Sequence, residues 1–342
     1  MQEVMAMSTH SAVSRIGILT SGGDAPGMNA AIRSAVRTAQ CLGINCVGIR
    51  HGYAGLISGD FLPLDEKAVK GITGLGGTML YTARSKEFTT EEGRKRAADT
   101  CRYMGIEGLI VIGGDGTFRG ALDLSEHGIK VIGIPCTIDN DIGCTTYTLG
   151  FDTACNTAVD AVDRLKDTMQ SHERCSVVEV MGHRAGHLAL KVGIATGATI
   201  ILIPEVEYDF DRDIVGRIRT ARLAGRNNFT IIVAEGLAAV TSVADKIAQT
   251  TGIETRVTAL GHIQRGGSPL VRDRIAATTW GYKAVMLLAE GKGNRVVAMS
   301  GDGFVDLDIK EALSMKKAFD YDAYQMFTTL TFLDKSTLQL SE

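Results

Sequence analysis

The sequence has few of the features that mark membrane, secreted or nucleic-acid-binding proteins. Its 342 residues include no apolar run long enough to cross a bilayer, and residues 1–15 lack the apolar core of a signal peptide. The formal net charge is -3, so the chain has no broad basic field to attract duplex nucleic acid. We therefore expect a cytoplasmic protein without membrane or nucleic-acid partners.

Paired cysteines, Pro-rich linkers and the common nucleotide-binding fingerprints are also missing. The seven cysteines show no C-x-x-C spacing, which argues against a zinc site or a disulfide framework and predicts reduced, mostly buried thiols. The first glycine-rich turn has neither G-x-G-x-x-G spacing nor a Walker lysine, which disfavours an ordinary dinucleotide-binding or P-loop fold. With 45% hydrophobic residues, the chain can still bury a full core.

What the sequence does contain is an alternation of short apolar runs with longer amphipathic segments. The apolar runs are Ile16–Thr20, Cys46–Ile49, Leu109–Ile112, Val131–Ile134, Ser176–Val180, Thr199–Ile203 and Thr230–Val233. This pattern predicts an α/β fold of parallel sheets with helices on both faces, whose ligands bind at the carboxyl ends of strands. Pro26 should open a helix through Gln40, and Thr89-x-x-Glu92 is typical of a capping box.

Three polar segments directly follow predicted strands: Ser21–Asn29, Gly113–Thr117 and Pro135–Asp141. Glycines let backbone N–H groups approach phosphate oxygens closely, although a glycine-rich turn can also serve tight packing alone. Two carboxylates that are two residues apart, as Asp139 and Asp141 are, face the same way on extended backbone. They repel each other unless a cation or a substrate hydroxyl intervenes, so these segments favour phosphate chemistry.

Arginines and histidines supply further candidates. Guanidinium groups bind phosphate bidentately, and a set of them would suit a phosphosugar and a polyphosphate, although a surface ion pair is the alternative for any single arginine. His183 and His187 have a spacing that could place two metal ligands on one helical face, but Gly182 and Gly186 disfavour a helix there. The candidate arginines are Arg84, Arg174, Arg256 and Arg265.

In this order, the motifs closely resemble those of the bacterial-type 6-phosphofructokinases, from about Ile16 to Ala289. The residues that carry the resemblance are Ser21–Asn29, Gly76–Thr78, Gly113–Thr117, Pro135–Asp141, Val177–Gly182, Pro204–Glu207 and Leu260–Ser268. The resemblance implies an α/β fold of two Rossmann-like parallel-sheet lobes. The expected nucleotide-binding lobe is 1–150 plus about 264–314, and the expected sugar-phosphate lobe is 151–263 plus about 315–342.

The same resemblance implies transfer of the ATP γ-phosphoryl group to the 1-hydroxyl of fructose 6-phosphate, with Mg²⁺, in a homotetramer. Asp139 would be the general base, Thr137 and Asp141 would assist it, and Asp115 would work with Mg²⁺. The residues expected around the nucleotide are Gly22, Tyr53, Arg84, Gly114, Asp115, Gly116, Thr117 and Gly120. The residues expected around the sugar phosphate are Thr137, Asp139, Arg174, Met181, Gly182, His183, Glu235, Arg256, His262 and Arg265, with Arg174 and Arg256 reaching in from a neighbouring subunit.

Three positions qualify the resemblance. Gly116 takes the option that accompanies ATP use in this family, where an aspartate accompanies pyrophosphate use. Cys136 is neither the usual glycine of the ATP enzymes nor the lysine of the pyrophosphate enzymes, but it is small and uncharged. His183 replaces an arginine that steadies the transferring phosphoryl group, so the role passes either to Arg184 or to the imidazole.

Regulation and rival functions remain open. The family's effector site is matched by Arg33, Arg37, Lys166, Glu205 and Arg226, whereas Phe61 and Ala224 fall where basic residues are expected. A pyrophosphate-dependent enzyme is the nearest alternative. NAD and lipid kinases share a similar glycine-rich loop but lack the Thr137–Asp141 and Gly261–Gly267 motifs. A catalytically weak regulatory subunit that binds sugar phosphate is the alternative of another class, and the intact aspartates oppose it.

Overall fold

The computed structural model describes residues 11–237, 239–301 and 303–331. Each of the seven apolar runs forms a strand there, and four further strands were not predicted: β3, β9, β10 and β11. The strands are β1 Arg15–Thr20, β2 Asn45–Ile49, β3 Phe61–Leu64, β4 Gly108–Gly113, β5 Lys130–Pro135, β6 Cys175–Val180, β7 Ile200–Leu202, β8 Phe229–Ala234, β9 Thr255–Ala259, β10 Arg295–Ser300 and β11 Gly303–Asp308.

Helices connect most of these strands. The α-helices are α1 Met28–Cys41, α2 Gly52–Ser58, α3 Glu91–Tyr103, α4 Asp115–Glu126, α5 Phe151–His172, α6 His187–Ala195, α7 Arg217–Leu223, α8 Val240–Thr251, α9 Val271–Ala289, α10 Ile309–Ser314 and α11 Tyr321–Thr331. The predicted capping box was misplaced by one residue. Thr90, not Thr89, caps α3, because its hydroxyl accepts the Gly93 N–H at 3.1 Å while the Thr89 hydroxyl donates to the Lys86 carbonyl.

The larger sheet has the order β11-β10-β5-β4-β1-β2-β3. Its central strands run parallel, with Ile110 of β4 opposite both Ile18 of β1 and Ile132 of β5. The expected parallel arrangement does not extend to the edges, where β3 and β11 run antiparallel to their neighbours. At one edge the cause is the connection, because the short link at Gly301 joins β10 to β11 and leaves no room for a crossover helix.

The smaller sheet is parallel throughout, with the order β7-β8-β6-β9. Val177 of β6 lies opposite Ile231 of β8 on one side and Val257 of β9 on the other. Strand β9 is one of the two edge strands, and it is largely exposed because its sequence, TRVTA, is mostly polar.

The chain divides into two compact units, each with its own hydrophobic core. The first consists of Met1–Thr153 and Arg265–Lys317 and contains the larger sheet. The second consists of Ala154–Gln264 and Ala318–Glu342 and contains the smaller sheet.

Two further observations bear on the environment of the protein. In the part of the chain that the structure describes, no helix combines the length and hydrophobicity needed to span a membrane. Five of the cysteines are buried thiols: Cys46, Cys101, Cys136, Cys144 and Cys175.

Candidate active site

In the first unit, three polar loops meet because they follow neighbouring parallel strands. Strands β5, β4 and β1 are adjacent in the sheet, so their carboxyl ends lie at one edge. Backbone hydrogen bonds tie the loops together there: Cys136 N–H donates to the Gly113 carbonyl at 2.9 Å, and Ser21 N–H donates to the Ile112 carbonyl at 3.0 Å. The fold thus assembles the three segments singled out by sequence.

Two glycines make this close approach sterically feasible. A Cβ at Gly113 would lie 2.3 Å from the Ser21 carbonyl oxygen and 2.4 Å from the Thr117 hydroxyl, so no larger residue fits. Gly22 has a φ of 87°, a left-handed conformation that L side chains rarely adopt. The buried Thr117 hydroxyl completes the junction by donating to the Ser21 carbonyl at 3.1 Å.

A cleft of about 680 Å³ opens over these loops. Its walls include seven of the eight residues predicted to surround a nucleotide; Asp115 is the exception. Thr137, Asp139 and Arg265 also line it, and a Cβ at Gly23 would lie 3.6 Å from the Arg265 guanidinium carbon. Helix α4 begins at this cleft without a side-chain cap, so its first N–H groups and its dipole are available to an anion.

An aromatic pair forms an apolar part of the cleft wall. The rings of Tyr53 and Phe88 stack with centroids 4.1 Å apart, and the Tyr53 hydroxyl donates to the Thr117 carbonyl at 2.5 Å. A Cβ at Gly120 would come within 2.7 Å of the Tyr53 ring and 2.9 Å of the Phe88 ring. Gly120 is therefore needed to make room for the pair.

Gly116 and Cys136 determine the space and charge available in the cleft. A Cβ at Gly116 would meet no atom within 4 Å, so the cleft is open at this position. The Cys136 thiol is buried and lies 3.6 Å from the Leu149 carbonyl, to which it donates. Burial raises the pKa of Cys136 well above its ordinary value, which keeps the thiol neutral.

Two carboxylates, Asp115 and Asp141, interact near the N-terminus of helix α4. Partial desolvation, followed by the charge of Asp141, raises the pKa of Asp115, while the Arg119 guanidinium opposes the shift. Among the described residues, no cluster of three or more His, Cys, Asp or Glu could hold a metal by itself. A pair of carboxylates beside a phosphate cleft nevertheless suits Mg²⁺, which proteins usually bind through one or two carboxylates plus substrate phosphates.

The loop after β5 has a defined conformation that presents Asp139. The Thr137 hydroxyl donates to Asp139 Oδ2 at 3.3 Å and accepts the Asp139 N–H at 3.2 Å. Asn140 follows with a φ of 50°, and the Thr148 hydroxyl donates to the Thr137 carbonyl at 2.6 Å. The loop is therefore held by its own side chains and by the segment that carries Thr148.

A fully buried carboxylate, Asp273 on α9, holds that segment in turn. It accepts hydrogen bonds from the Tyr147 hydroxyl, from Gly150 N–H at 2.7 Å and from Thr153 N–H at 3.0 Å. Burial raises the pKa of Asp273, although the hydrogen bonds from Thr153, Tyr147 and Gly150 oppose the shift.

In the second unit, the carboxyl ends of β6, β8 and β9 bring together Met181, Gly182, His183, Glu235 and His262. Burial, followed by the charge of Glu235, raises the pKa of Glu179 beside them. The edge is organised by Gln264, a fully buried side chain that sequence reasoning did not single out. Its Oε1 accepts the Met181 N–H at 3.2 Å, and its Nε2 donates to the Gly261 carbonyl at 2.9 Å.

A tight turn follows Met181. Ala185 N–H donates to the Gly182 carbonyl at 2.9 Å, and a Cβ at Gly182 would lie 2.5 Å from the Ala185 carbonyl oxygen. His183, with a φ of 56°, and Arg184 are both exposed in this turn. His187 begins α6, so the two histidines do not share a helical face and the metal-ligand spacing has no structural counterpart.

Arg174 and Arg256 lie away from that edge. Arg174 immediately precedes β6 and Arg256 is near the start of β9, at the amino ends of these parallel strands. Glu254 joins them, since it accepts from Arg174 Nε at 2.7 Å and from the Arg256 guanidinium. Arg174 in particular holds the pKa of Glu254 below its usual range.

Three of the residues matched to the effector site already have partners within their own unit. Arg37 forms an ion pair with Glu66, and Lys166 donates to the Thr196 carbonyl. Glu205 accepts the Gly186 N–H at 2.8 Å.

Comparison with protein families decides the relationship. A family model described as phosphofructokinase matches residues 15–288. This chain belongs to the phosphofructokinase family. Over 318 residues it is 51% identical to a Clostridium tetani protein named ATP-dependent 6-phosphofructokinase, covering 93% of this chain and 99% of that protein. A Clostridium botulinum protein of the same name is 51% identical over 316 residues, covering 92% and 99% of the two chains.

Solved structures confirm the phosphofructokinase fold. Phosphofructokinase from Saccharomyces cerevisiae superposes with a TM-score of 0.87 at 32% identity over 93% of this chain, which spans half the length of the yeast chain. A pyrophosphate-dependent phosphofructokinase from Marinobacter aquaeolei superposes with a TM-score of 0.81 over 91% of this chain and 86% of its own. At 20% identity, that likeness establishes the fold alone.

Several residues of the cleft were missed at the level of sequence. Phe88 belongs to a short turn before α3, where no periodicity marks it as buried. Lys86, Arg119 and Asp123 line the cleft but lie in segments rich in other charges. The available signals were weak: a single aromatic residue, Phe88, a few positions after Arg84, and charged residues one turn or more along α4.

Proposed function

We propose that this protein transfers the γ-phosphoryl group of ATP to the 1-hydroxyl of fructose 6-phosphate, giving fructose 1,6-bisphosphate. The observation that carries the proposal is the convergence of three strand-end loops on one cleft. Asp139 and the uncapped N-terminus of α4 therefore lie in the same cleft. Phosphoryl transfer requires such positioning and charge stabilisation rather than covalent chemistry from the protein. The names of the clostridial relatives agree with it.

Asp139 is the proposed general base. Its carboxylate would accept the proton of the attacking hydroxyl, while the Thr137 hydroxyl, 3.3 Å away, keeps it oriented. The N–H groups at the start of α4, together with Arg84 and Arg265 on the cleft wall, would bind phosphate oxygens.

Asp115 is the proposed metal-binding residue, with Asp141 beside it. Bound Mg²⁺ would offset the negative charge of the ATP phosphates and relieve the repulsion between these two carboxylates. Desolvation is the larger cause of the raised pKa of Asp115, and the charge of Asp141 adds to it. Asp115 would thereby contribute to ATP binding as well as to catalysis.

The choice of ATP over pyrophosphate follows from Gly116 and Cys136. Gly116 leaves open space where an aspartate would place negative charge, and the neutral Cys136 thiol supplies no cation for pyrophosphate. An ATP molecule needs that space for its α-phosphate.

We assign the sugar phosphate to the carboxyl edge of the second sheet, around Met181, Gly182, His183, Glu235 and His262. Arg174 and Arg256 lie at the opposite edge of that sheet, which supports the idea that they serve a neighbouring subunit of a homotetramer. Buried thiols at Cys46, Cys101, Cys136, Cys144 and Cys175 suit the cytoplasm as the site of action.

A coupled assay for fructose 1,6-bisphosphate, with ATP or pyrophosphate as the only donor, tests this function. We expect product with ATP and Mg²⁺ only. Product with pyrophosphate alone would assign the chain to the pyrophosphate-dependent enzymes. Binding of fructose 6-phosphate without product from either donor would indicate a regulatory subunit.

A further inference from the structure

A short segment at the end of the first unit, Met315–Lys317, packs against the chain that follows the Asp139 loop. We call it the strap. Ile142 and Lys316 form an antiparallel β-bridge. A Cβ at Gly143 would lie 2.3 Å from the Met315 carbonyl oxygen, so the two backbones touch. The backbone of the strap is therefore in direct contact with the backbone of the segment after Asp141.

The Lys317 side chain extends from the strap toward the Asp139 loop. Its ammonium donates to the Thr145 carbonyl and lies 3.5 Å from Asn140 Oδ1. Half-buried, it has a pKa lowered to about 8 by desolvation, while the charges of Cys144 and Asp141 oppose the shift. Keeping an ammonium in such a place costs free energy, which suggests a purpose beyond packing.

Asn140 is the residue through which Lys317 reaches the Asp139 loop. It is buried, lies between Asp139 and Asp141, and has a left-handed φ of 50°. Asn is one of the few non-glycine residues that adopt this conformation readily. Asn140 Oδ1 lies 3.4 Å from the Thr148 hydroxyl and 3.5 Å from the Lys317 ammonium. These contacts from the side chain stabilise the turn that separates the two carboxylates.

Charge points the same way, because Asp141 favours the charged form of Lys317 and the two groups attract each other. Neither Lys317 nor Asn140 lines the cleft, so both leave the substrate surface free.

We propose that Lys317 is a positioning residue for phosphoryl transfer: it holds Asn140 in its left-handed turn and thereby sets the direction of the Asp139 carboxylate. The inference rests on the proposed function. Lys317 touches neither donor nor acceptor, and its effect on turnover passes through Asn140.

The first arm of the test is kinetic. In the full-length enzyme, Lys317→Met removes the charge and retains the length of the side chain. We expect kcat with ATP to fall about 10- to 100-fold, the effect of a small misplacement of a reacting group, while both KM values change less than about threefold. Lys316→Met, on the exposed neighbour in the same strap, should leave kcat unchanged.

A double-mutant cycle identifies the route. Asn140→Ala should lower kcat, and Lys317→Met combined with Asn140→Ala should lose no more than the larger single loss, because both changes remove one contact. Additive losses would show that Lys317 does not act through Asn140. A loss confined to KM, or equal losses in Lys316→Met and Lys317→Met, would also overturn the proposal.

Hydrogen exchange supplies a readout independent of turnover. Amides of residues 137–141 should exchange faster in Lys317→Met than in wild type, and Lys316→Met should match wild type. Unchanged exchange in Lys317→Met would overturn the positioning role, whatever the activity. If Lys317→Met exchanges faster but the wild type shows no ATP-dependent turnover, the role of Lys317 in the loop is retained and the proposed function is rejected.

Discussion

At Gly116 the missing side chain leaves the cleft open, which makes donor choice testable at one residue. Gly116→Asp should lower ATP-dependent kcat/KM by about 100-fold or more, because a carboxylate would face the nucleotide phosphates. Folding should survive, since Gly116 lies in helix α4 and a Cβ there meets no atom within 4 Å. Steady-state kinetics with ATP as varied substrate measures the effect.

Gly116→Ala is the matched control, because it adds bulk without charge. It should cost at least about tenfold less than Gly116→Asp if repulsion is the cause. Equal losses would mean that volume alone matters. Cys136→Gly should leave ATP use intact, and a severe loss there would reveal a role for the buried thiol beyond its bond to Leu149.

The exposed turn at His183 and Arg184 carries the second prediction. If the Arg184 guanidinium stabilises the transferring phosphoryl group, Arg184→Ala should lower kcat by about 10²- to 10³-fold. His183→Ala should be milder, because Arg184 would still be present. Steady-state kinetics of the two variants separate them.

Arg219→Ala removes an exposed guanidinium on α7 and controls for general charge effects. It should leave kcat unchanged. A severe loss in His183→Ala with a silent Arg184→Ala would assign the role to the imidazole.

At the scale of elements, Asp273 of α9 holds the segment that flanks the Asp139 loop. Asp273→Asn places an amide against several donors and should destabilise the fold by about 1–3 kcal/mol. The pKa of Asp273 is raised in the folded state, so its contribution to stability is largest below the unfolded pKa and is lost as pH rises through the folded pKa.

The difference in Tm between wild type and Asp273→Asn should therefore narrow as the pH rises above about 4. Tyr147→Phe removes one of the donors to Asp273 and should lower Tm less than Asp273→Asn does. A Tm difference that widens toward high pH would show that the hydrogen bonds, not burial, dominate the titration of Asp273.

The element scale also shows what sequence can predict. Continuous apolar runs such as Leu109–Ile112 indicated buried strands, and the edge shared by parallel strand ends brought Gly113–Thr117 and Pro135–Asp141 together as expected. Strands β9 and β11 were missed because TRVTA and GFVDLD contain no long apolar run and are largely exposed, so their pairing depends on neighbouring strands. Phe88 and Lys317 were missed because they reach their contacts through tertiary packing from distant segments.

At the scale of the whole molecule, the proposed assembly shares residues between subunits. If Arg256 serves a neighbour, Asp139→Asn and Arg256→Ala should each be nearly inactive alone but should regain activity in mixed oligomers. Some sites would then combine an intact Asp139 with an intact Arg256 from the adjacent subunit. Co-expression with two affinity tags, followed by assay of the doubly purified oligomer, measures the recovery.

Mixing the two purified variants without subunit exchange is the control and should give no recovery. Absence of activity in verified mixed oligomers would place Arg256 in the site of its own subunit or outside the reaction.

The most direct test of the central claim follows the phosphorus atoms themselves. Phosphorus NMR of ATP, Mg²⁺ and fructose 6-phosphate should show the γ-phosphorus signal of ATP decreasing while a new sugar phosphomonoester signal for the C1 phosphate grows. With Asp139→Asn at the same concentration, the transfer should slow by about 100-fold or more. Unchanged transfer in a folded Asp139→Asn protein, or no transfer from ATP in the wild type, would contradict the account.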